Sequence, residues 1–292
     1  MNIFILFILM FLLITNNQIV LAGASYGLML WYKNVLPLLL PFMLISGHIE
    51  NSVISATNKD SRNKKLALPS IIILGLFCGY PIGAKANAYF LQQDIIKKRT
   101  GNLLLPICNN ISPMFFLGFI ISHILNNSIS PILGYAIIFT PYILILIIEY
   151  IIYPKTQSNI PVHKNILSSN KLLSRSISQE SISQITHVGL YIMICCIITE
   201  FILSMEGLNP YIKLILIGIT EITSGVTHIG NSPIIETQIK TALILACTSF
   251  GGISSIMQTA KVIQGSGLSL IHYIFVKLVC AISTFFLYLL IV

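Results

Sequence analysis

Residues 69–93 read PSIIILGLFCGYPIGAKANAYFLQQ, an apolar stretch that is interrupted by glycine and proline in GYPIGAK, residues 79–85. Basic residues flank the stretch on both sides, four within 59–65 and three within 97–99. Lysine and arginine in short loops favour the cytoplasmic side, so both ends are expected on one face of a membrane. A single crossing helix cannot satisfy this requirement. The stretch therefore predicts a re-entrant helical hairpin that turns at GYPIGAK.

The whole chain has the composition of an integral membrane protein. Of its 292 residues, 55% are hydrophobic and 9% are charged, too few to provide a water-soluble domain with a polar shell. Apolar stretches long enough to cross a bilayer as helices recur throughout, and β-barrel strands would be about half as long. These candidates are 3–22, 27–48, 69–93, 102–125, 131–153, 186–204, 211–233, 237–262 and 268–292. We predict an all-α integral membrane protein with about seven transmembrane helices and two re-entrant hairpins.

The loops divide the chain into four segments. Residues 154–185 are rich in Ser, Asn, Gln and Lys and carry four basic residues, which predicts a cytoplasmic linker. An N-terminal transmembrane helix within 1–26 and a first half, 27–153, precede this linker, and a second half, 186–292, follows it. The N-terminal run resembles a signal-peptide core, but no basic residue precedes it and its apolar character continues. We therefore expect it to be retained as a span.

The two halves have the same layout of hairpin, interrupted span and plain span. In the first half, the interrupted span breaks at CNNISP, 108–113. In the second half, the candidate hairpin breaks at EITSGVTHIG, 221–230, and the interrupted span breaks at TSFGGISS, 248–255. If the second hairpin opens outward, the halves form an inverted repeat, in which paired broken helices mark a substrate site near the bilayer midplane. In the alternative, 211–233 crosses the membrane and 241–261 is the hairpin.

The candidate substrate-binding residues of the first half lie at its two breaks. A half-helix that starts near Gly83 would direct its N–H groups at an anion. Lys85 is costly in an apolar span unless it faces a cavity or a partner, although it could instead snorkel from a kinked helix. The amides of Asn109 and Asn110 would contact a solute or, alternatively, join two helices. The candidates are Gly79, Tyr80, Pro81, Gly83, Lys85, Asn109, Asn110 and Ser112.

The second half contributes a carboxylate and a glycine pair. Glu221 is its most deeply placed carboxylate and could carry a proton, bind a cation or pair with Lys85. The adjacent Gly251 and Gly252 break a helix, and nearby hydroxyls supply neutral hydrogen bonds, although small residues also serve helix packing. The candidates are Glu221, Thr223, Ser224, Ser249, Gly251, Gly252 and Ser255.

Several function classes are disfavoured by the sequence. The net charge of +8 arises in loops without a basic face, so no nucleic-acid partner is expected. The six cysteines lie in apolar spans without a CxxC pair, so neither a disulfide framework nor a metal site is predicted. HExxH and GxxxxGK[ST] are absent, and we expect no enzyme activity, no cofactor and no ATP-driven transport. The expected partners are the lipid bilayer and a small solute, and the chain is compatible with a homo-oligomer.

Four motifs together suggest a family. The chain has LPFMLISGHIE at 40–50, FCGYPIGAK at 77–85, CNNISP at 108–113 and SFGGISS at 249–255. Over about 36–262 it resembles the sporulation integral membrane proteins of the YlbJ (SpoVV) type, which belong to the nucleoside-recognition Gate group and are similar to concentrative nucleoside transporters. The resemblance implies a multi-pass protein of the outer forespore membrane that moves dipicolinate, a small planar dianion made in the mother cell.

Three functions follow as expectations. The first is secondary transport of a small anion, with dipicolinate as the solute. The second is ion-coupled nucleoside transport, although the chain lacks the full set of acidic motifs of nucleoside transporters. The third is a membrane sensor or scaffold that does not transport, which would be favoured if Lys85, Asn109 and Glu221 faced lipid or an oligomer interface.

Overall fold

The computed structural model describes residues 3–59, 67–152 and 177–292. Within these ranges every regular element is a helix, which confirms the all-α class. In these three ranges, six helices are long and apolar enough to cross a membrane, as expected of a multi-pass membrane protein. They are Asn17–Ile49, Lys98–Ile124, Pro131–Ile152, Ser178–Ser204, Thr237–Ile263 and Leu270–Ile291.

The N-terminal region divides at a different residue from the one expected. Its elements are α1 (Ile3–Thr15), α2 (Asn17–Leu30), a π-helical turn (Trp31–Val35) and α3 (Leu36–Lys59). The break lies at Asn16, whose side-chain amide donates to the Leu12 carbonyl oxygen (3.0 Å) and thus competes with the backbone bonds of the helix. The predicted spans 3–22 and 27–48 are replaced by one candidate span, Asn17–Ile49, because α2 continues through Gly23, which packs against the backbone at Ile197.

The first half contains a helical hairpin. The helices of this half are α4 (Ala67–Cys78), α5 (Ile82–Gln92), α6 (Lys98–Cys108), α7 (Pro113–Phe115) with its π-helical continuation (Phe116–Ile124), and α8 (Pro131–Ile152). Gly75 and Gly83 form the contact between α4 and α5, where a Cβ added to Gly83 would lie 2.8 Å from the Gly75 Cα. Gly79 begins the turn with a φ of 70°, which glycine adopts without strain. The chain therefore doubles back at 79–81.

The CNNISP motif ends one helix and starts the next. Helix α6 stops at Cys108, and Ser112 caps the new helix because its Oγ accepts a hydrogen bond from the Phe115 N–H (3.3 Å). Pro113 occupies the first helical position, where a missing N–H leaves no unpaired donor. The span is therefore interrupted at the predicted residues.

The second half starts earlier than predicted. Its helices are α9 (Ile177–Ser204), α10 (Pro210–Thr220), α11 (Ile222–Asn231), α12 (Thr237–Phe250), α13 (Gly252–Ile263) and α14 (Leu270–Ile291). Helix α9 covers the end of the predicted linker 154–185, while 153–176 lie outside the described residues.

A second hairpin lies in this half. Helices α10 and α11 pack closely, since a Cβ added to Gly225 would stand 2.5 Å from the Gly218 Cα. Helices α12 and α13 are separated at Gly251, which has a φ of 84°, and they make few contacts with each other. The chain therefore doubles back between 210 and 231, and not between 241 and 261.

The two hairpins open toward opposite ends of the helix bundle. At one end the Ser269 N–H donates to Asn102 Oδ1 (2.9 Å), close to the 93–97 loop that joins the first hairpin to α6. At the other end Gly230, in the last turn of the second hairpin, packs against Ile124. The hairpins thus approach the middle of the bundle from opposite directions.

Helix α9 runs alongside α2 and α3. A Cβ on Gly23 would stand 2.6 Å from the Ile197 Cα, so these backbones are in close contact. Further along, Trp31 Nε1 donates to the Ile185 carbonyl oxygen (3.1 Å). This packing places apolar side chains of α3 and α9 along one side of the middle of the bundle, which the two hairpins approach.

Candidate functional site

The helix breaks of the two halves meet in the middle of the bundle. A Cβ added to Gly79 would stand 2.6 Å from the Ser112 nitrogen, so the first hairpin turn touches the start of α7. A Cβ added to Gly251 would overlap the Tyr80 hydroxyl, so the same turn touches the break between α12 and α13. Both contacts need a glycine because the approaching atoms leave no room for a side chain.

A small cavity of about 70 Å³ lies where these breaks converge. All four breaks contribute to its wall. The lining residues from the predicted set are Tyr80, Ser112, Glu221, Thr223, Gly251 and Ser255. Helices α3 and α9 supply an apolar wall that includes Phe42 and Ile192. The cavity therefore has an apolar side and a side built from hydroxyls, one carboxylate and helix starts.

Three lining residues with a thiol, hydroxyl or amide side chain were not among the predicted site residues. They are Cys78, Ser254 and Gln258. Cys78 ends α4, and the other two belong to α13, which begins at the Gly251 turn. The helical spacing of Gly251, Ser254, Ser255 and Gln258 would have indicated a shared face of α13, since residues three and four apart are neighbours.

Glu221 forms the turn between α10 and α11. It is almost fully buried, with one carboxylate oxygen accepting from the Ser224 N–H (2.7 Å) and the other from the Thr223 hydroxyl (3.0 Å). The carboxylate therefore caps α11, where negative charge is favoured by the helix dipole. The Ser224 hydroxyl has no hydrogen-bond partner among the described residues, so one polar group beside the cap is unsatisfied there.

Lys85 does not pair with Glu221, so that part of the prediction is wrong. The Lys85 ammonium forms an ion pair with Glu180 in the first turn of α9, and the two side chains are 16% and 24% exposed. Lys85 is not among the cavity-lining residues. A carboxylate that the sequence assigned to the linker is close enough to pair because α9 begins at Ile177.

Asn109 and Asn110 are fully buried beside the cavity and are not part of its lining. The Asn109 amide donates to the Thr259 hydroxyl (2.7 Å) and to the Tyr273 hydroxyl (3.0 Å), which links α6 to α13 and α14. Asn110 Oδ1 accepts from the Ile111 N–H (3.0 Å). These bonds correspond to the alternative in which the amides join helices.

Lys277 is the functional candidate that the sequence analysis missed. It lies inside α14, which was taken as a plain span, and its side chain is fully buried. Its ammonium donates to the Tyr80 hydroxyl (2.9 Å), the Ser249 carbonyl oxygen (2.9 Å) and Asn110 Oδ1 (3.2 Å). A lysine within an apolar span is itself a signal of function, and this signal could have identified it.

Aromatic rings surround the Lys277 ammonium. Its nitrogen lies 5.0, 5.2 and 5.9 Å from the ring centroids of Tyr80, Tyr142 and Tyr273, within the range of cation–π attraction. In the described part of the chain, no carboxylate lies within 4.0 Å of this nitrogen. Neutral dipoles and rings therefore stabilise the ammonium in place of a counter-ion.

The remaining predicted residues support this arrangement through the backbone. Pro81 immediately precedes α5. Gly83 lets α5 approach the backbone at Cys108. Ser249 contributes its carbonyl oxygen, which accepts from the Tyr142 hydroxyl (2.7 Å) as well as from Lys277. Gly252 lets the start of α13 approach Glu221, since an added Cβ would stand 3.0 Å from the Glu221 Cα.

Comparison with family models, curated proteins and solved structures finds no match to this chain. The features of the chain that bear on its function are therefore the cavity and the chemistry of its walls.

Proposed function

We propose that this chain is a secondary membrane transporter of a small anionic solute, with dipicolinate as its substrate. The observation that carries the proposal is the convergence of helix breaks from both halves on one cavity. Interrupted helices are costly in a bilayer unless their free backbone groups face protein, water or a solute. A cavity built from such breaks near the middle of a bundle is typical of transporters.

We also propose that the halves are an inverted repeat with two re-entrant hairpins. Each half has a hairpin, an interrupted helix and a continuous helix in the same order. The hairpins open toward opposite ends, and the basic residues at 97–99 lie at the open end of the first. That end is cytoplasmic in this proposal, as the distribution of basic loops requires. The cavity would then lie near the bilayer midplane.

The walls of the cavity favour an anion. Ser112, Glu221 and Gly251 are the N-cap residues of α7, α11 and α13, so three helix starts border the cavity. Helix starts carry partial positive charge, and the α13 start has no side-chain cap because its N-cap is glycine. Ser254 adds a hydroxyl donor in the first turn of α13, while the Ser255 hydroxyl donates to the Gly252 carbonyl oxygen (2.9 Å). These donors suit carboxylate oxygens.

Transport requires the cavity to open. A volume of about 70 Å³ is far below the roughly 300–1,000 Å³ of pockets that enclose ordinary ligands. The structure therefore corresponds to a closed state in this proposal, and access alternates by movement of one half against the other. No ATP-binding motif is present in the sequence, so a solute gradient or a coupling ion provides the driving force.

The test is uptake of radiolabelled dipicolinate by proteoliposomes that contain the full-length protein. Ser254→Phe should abolish uptake because Ser254 lines the cavity and is 3% exposed, whereas Ile253→Phe is the matched control on a surface that is 42% exposed. Equal uptake by the two variants would contradict a cavity route. Uptake of uridine in place of dipicolinate would favour the nucleoside transporter, and binding without uptake would favour the sensor.

The proposed location is the outer forespore membrane of a sporulating cell. A deletion of the gene in a spore-forming host should leave dipicolinate in mother cells and deplete it in spores, because synthesis continues while transfer stops. Assays of dipicolinate in the two compartments check this prediction. Loss of dipicolinate from both compartments would indicate a defect in synthesis and would contradict the proposed role.

A further inference from the structure

The cavity lining contains no cationic side chain in the part of the chain that the structure describes. Its only charged group is the Glu221 carboxylate, which already accepts two hydrogen bonds within α11. Lys85 pairs with Glu180 and does not line the cavity. Helix starts alone would have to balance a dianionic solute. A bound dianion therefore requires positive charge from a residue close to the cavity but outside its lining.

Lys277 is that source, and Tyr80 lies between it and the cavity. Tyr80 lines the cavity, and its hydroxyl accepts from the Lys277 ammonium at 2.9 Å. The hydroxyl also lies against Gly251, which is itself part of the cavity wall. Displacement of this one hydroxyl group would bring the ammonium into contact with a solute in the cavity.

The energetics of Lys277 favour such an exchange. Its three N–H bonds are satisfied by neutral acceptors, and three aromatic rings lie nearby, but it has no carboxylate partner among the described residues. A buried charge that is stabilised only by dipoles gains further from an opposite charge, because Coulomb attraction is strong away from water. An ammonium on a flexible stem can redirect its donors with little change in the backbone.

Lys277 also changes the electrostatic potential at the break between α12 and α13. One of its acceptors is the Ser249 carbonyl oxygen, in the last turn of α12, where the helix dipole is negative. The adjacent start of α13, where the dipole is positive, remains open to the cavity. Lys277 thus offsets the negative end of α12, which would repel an anion. The positive start of α13 is left facing the solute.

We propose that Lys277 is the cationic residue that pairs with the transported anion, and that the solute displaces the Tyr80 hydroxyl from its ammonium. The proposal rests on the anion transport proposed above and identifies the group that selects a carboxylate. Lys277 replaces Lys85 in this role. Lys85 instead holds α5 to the start of α9.

The experiment measures dipicolinate binding to full-length protein in detergent and dipicolinate uptake in proteoliposomes. Lys277→Met keeps the apolar stem and removes the charge, so affinity should fall at least tenfold, the equivalent of about 1.4 kcal/mol. Lys277→Arg should restore part of the loss because it keeps the charge but changes the donor geometry. Lys85→Met is the matched control and should bind within about twofold of wild type, because Lys85 pairs with Glu180 and does not line the cavity.

Tyr80→Phe provides a second test, in which the expected change is a gain in affinity and not a loss of function. It removes one acceptor of the Lys277 ammonium and keeps the ring, so the ammonium is freer to meet the solute. Dipicolinate should bind roughly 2- to 10-fold more tightly, the range that one net hydrogen bond contributes. Should Lys277→Met fail to fold, this variant decides the matter, and unchanged affinity would overturn the proposal.

The outcomes separate the two proposals. Wild-type protein that neither binds nor takes up dipicolinate or another small dicarboxylate would refute anion transport itself. Wild-type protein that transports dipicolinate, together with a folded Lys277→Met variant of equal affinity and rate, would leave anion transport standing and refute the role of Lys277. Loss of binding in both Lys277→Met and Lys85→Met would also refute it, because the effect would not be specific to the buried ammonium.

Discussion

The two hairpins reverse the chain beside the same cavity but close their turns in different ways. In the first, Gly79, Tyr80 and Pro81 separate the helices, and no side chain caps the start of α5. In the second, the single residue Glu221 separates the helices in an extended conformation and caps α11 with its own carboxylate. The second turn is thus satisfied by its own residues. In the first turn the Tyr80 side chain instead bonds to Lys277 of the second half.

This difference shows where the two halves depend on each other. The Tyr80 hydroxyl of the first hairpin accepts from Lys277 in α14 and contacts Gly251, so both partners belong to the second half. Glu221 forms its hydrogen bonds within its own hairpin. Matching positions in the two halves therefore carry different chemistry, and a solute that disturbs Tyr80 affects contacts between the halves. Such contacts are the ones that must change if access alternates.

The largest expected effect concerns the side of the membrane on which the two ends of each hairpin lie. In a background without native cysteines, Asn63→Cys and Gln93→Cys should react with an impermeant maleimide from the cytoplasmic side only. Glu206→Cys and Glu236→Cys, at the two ends of the second hairpin, should react from the other side only. The measurement is labelling of intact cells against inside-out vesicles. If Gln93→Cys and Glu236→Cys were labelled from the same side as each other, the inverted repeat would be ruled out.

The next effect concerns the glycines that let each hairpin close. Gly83→Ala places a Cβ on the backbone of Cys108, and Gly225→Ala places one 2.5 Å from the Gly218 Cα. Backbone cannot yield as a side chain can, so each change should cost about 3 kcal/mol of stability or more. Thermal unfolding of purified protein measures the loss. In Gly118→Ala the new methyl meets only the end of the Leu38 side chain, so this control should stay close to wild type.

Helix breaks were the most predictable features of this fold. Clusters of glycine, proline and asparagine inside apolar spans marked the interruptions near 79–81, 109–112 and 251, because each of these residues weakens a helix. The N-terminal boundary was harder to place. Average hydropathy does not show that the helix breaks at Asn16. It also does not show that α2 continues through Gly23 and Gly27, which pack against α9.

Side-chain partners were less predictable than breaks. The Lys85 carboxylate partner, Glu180, is 95 residues away in sequence and lies in a segment whose polar composition suggested a linker. Lys277 and its acceptors come together only when α14 packs beside the two breaks. Sequence indicates that a buried lysine needs partners, but tertiary packing determines which groups provide them.

A smaller effect distinguishes the two hairpin turns by their capping. Glu221→Ala should cost about 1–2 kcal/mol of stability because the Ser224 N–H loses its acceptor. Glu221→Gln keeps an acceptor oxygen and should retain most of that stability. Thermal unfolding of the two variants measures the difference. Equal losses would mean that the negative charge, and not the cap hydrogen bond, stabilises the turn.

Protection of a cavity cysteine by the solute tests whether the converging breaks form the transport site. Ser254→Cys, in a background whose native cysteines are replaced and whose transport is retained, is labelled with a thiosulfonate reagent in the presence and absence of dipicolinate. Met205→Cys, in the exposed connection between α9 and α10, serves as the control. We predict that dipicolinate slows labelling at residue 254 at least threefold and leaves residue 205 unchanged. Equal labelling rates at residue 254 with and without saturating dipicolinate would contradict the account.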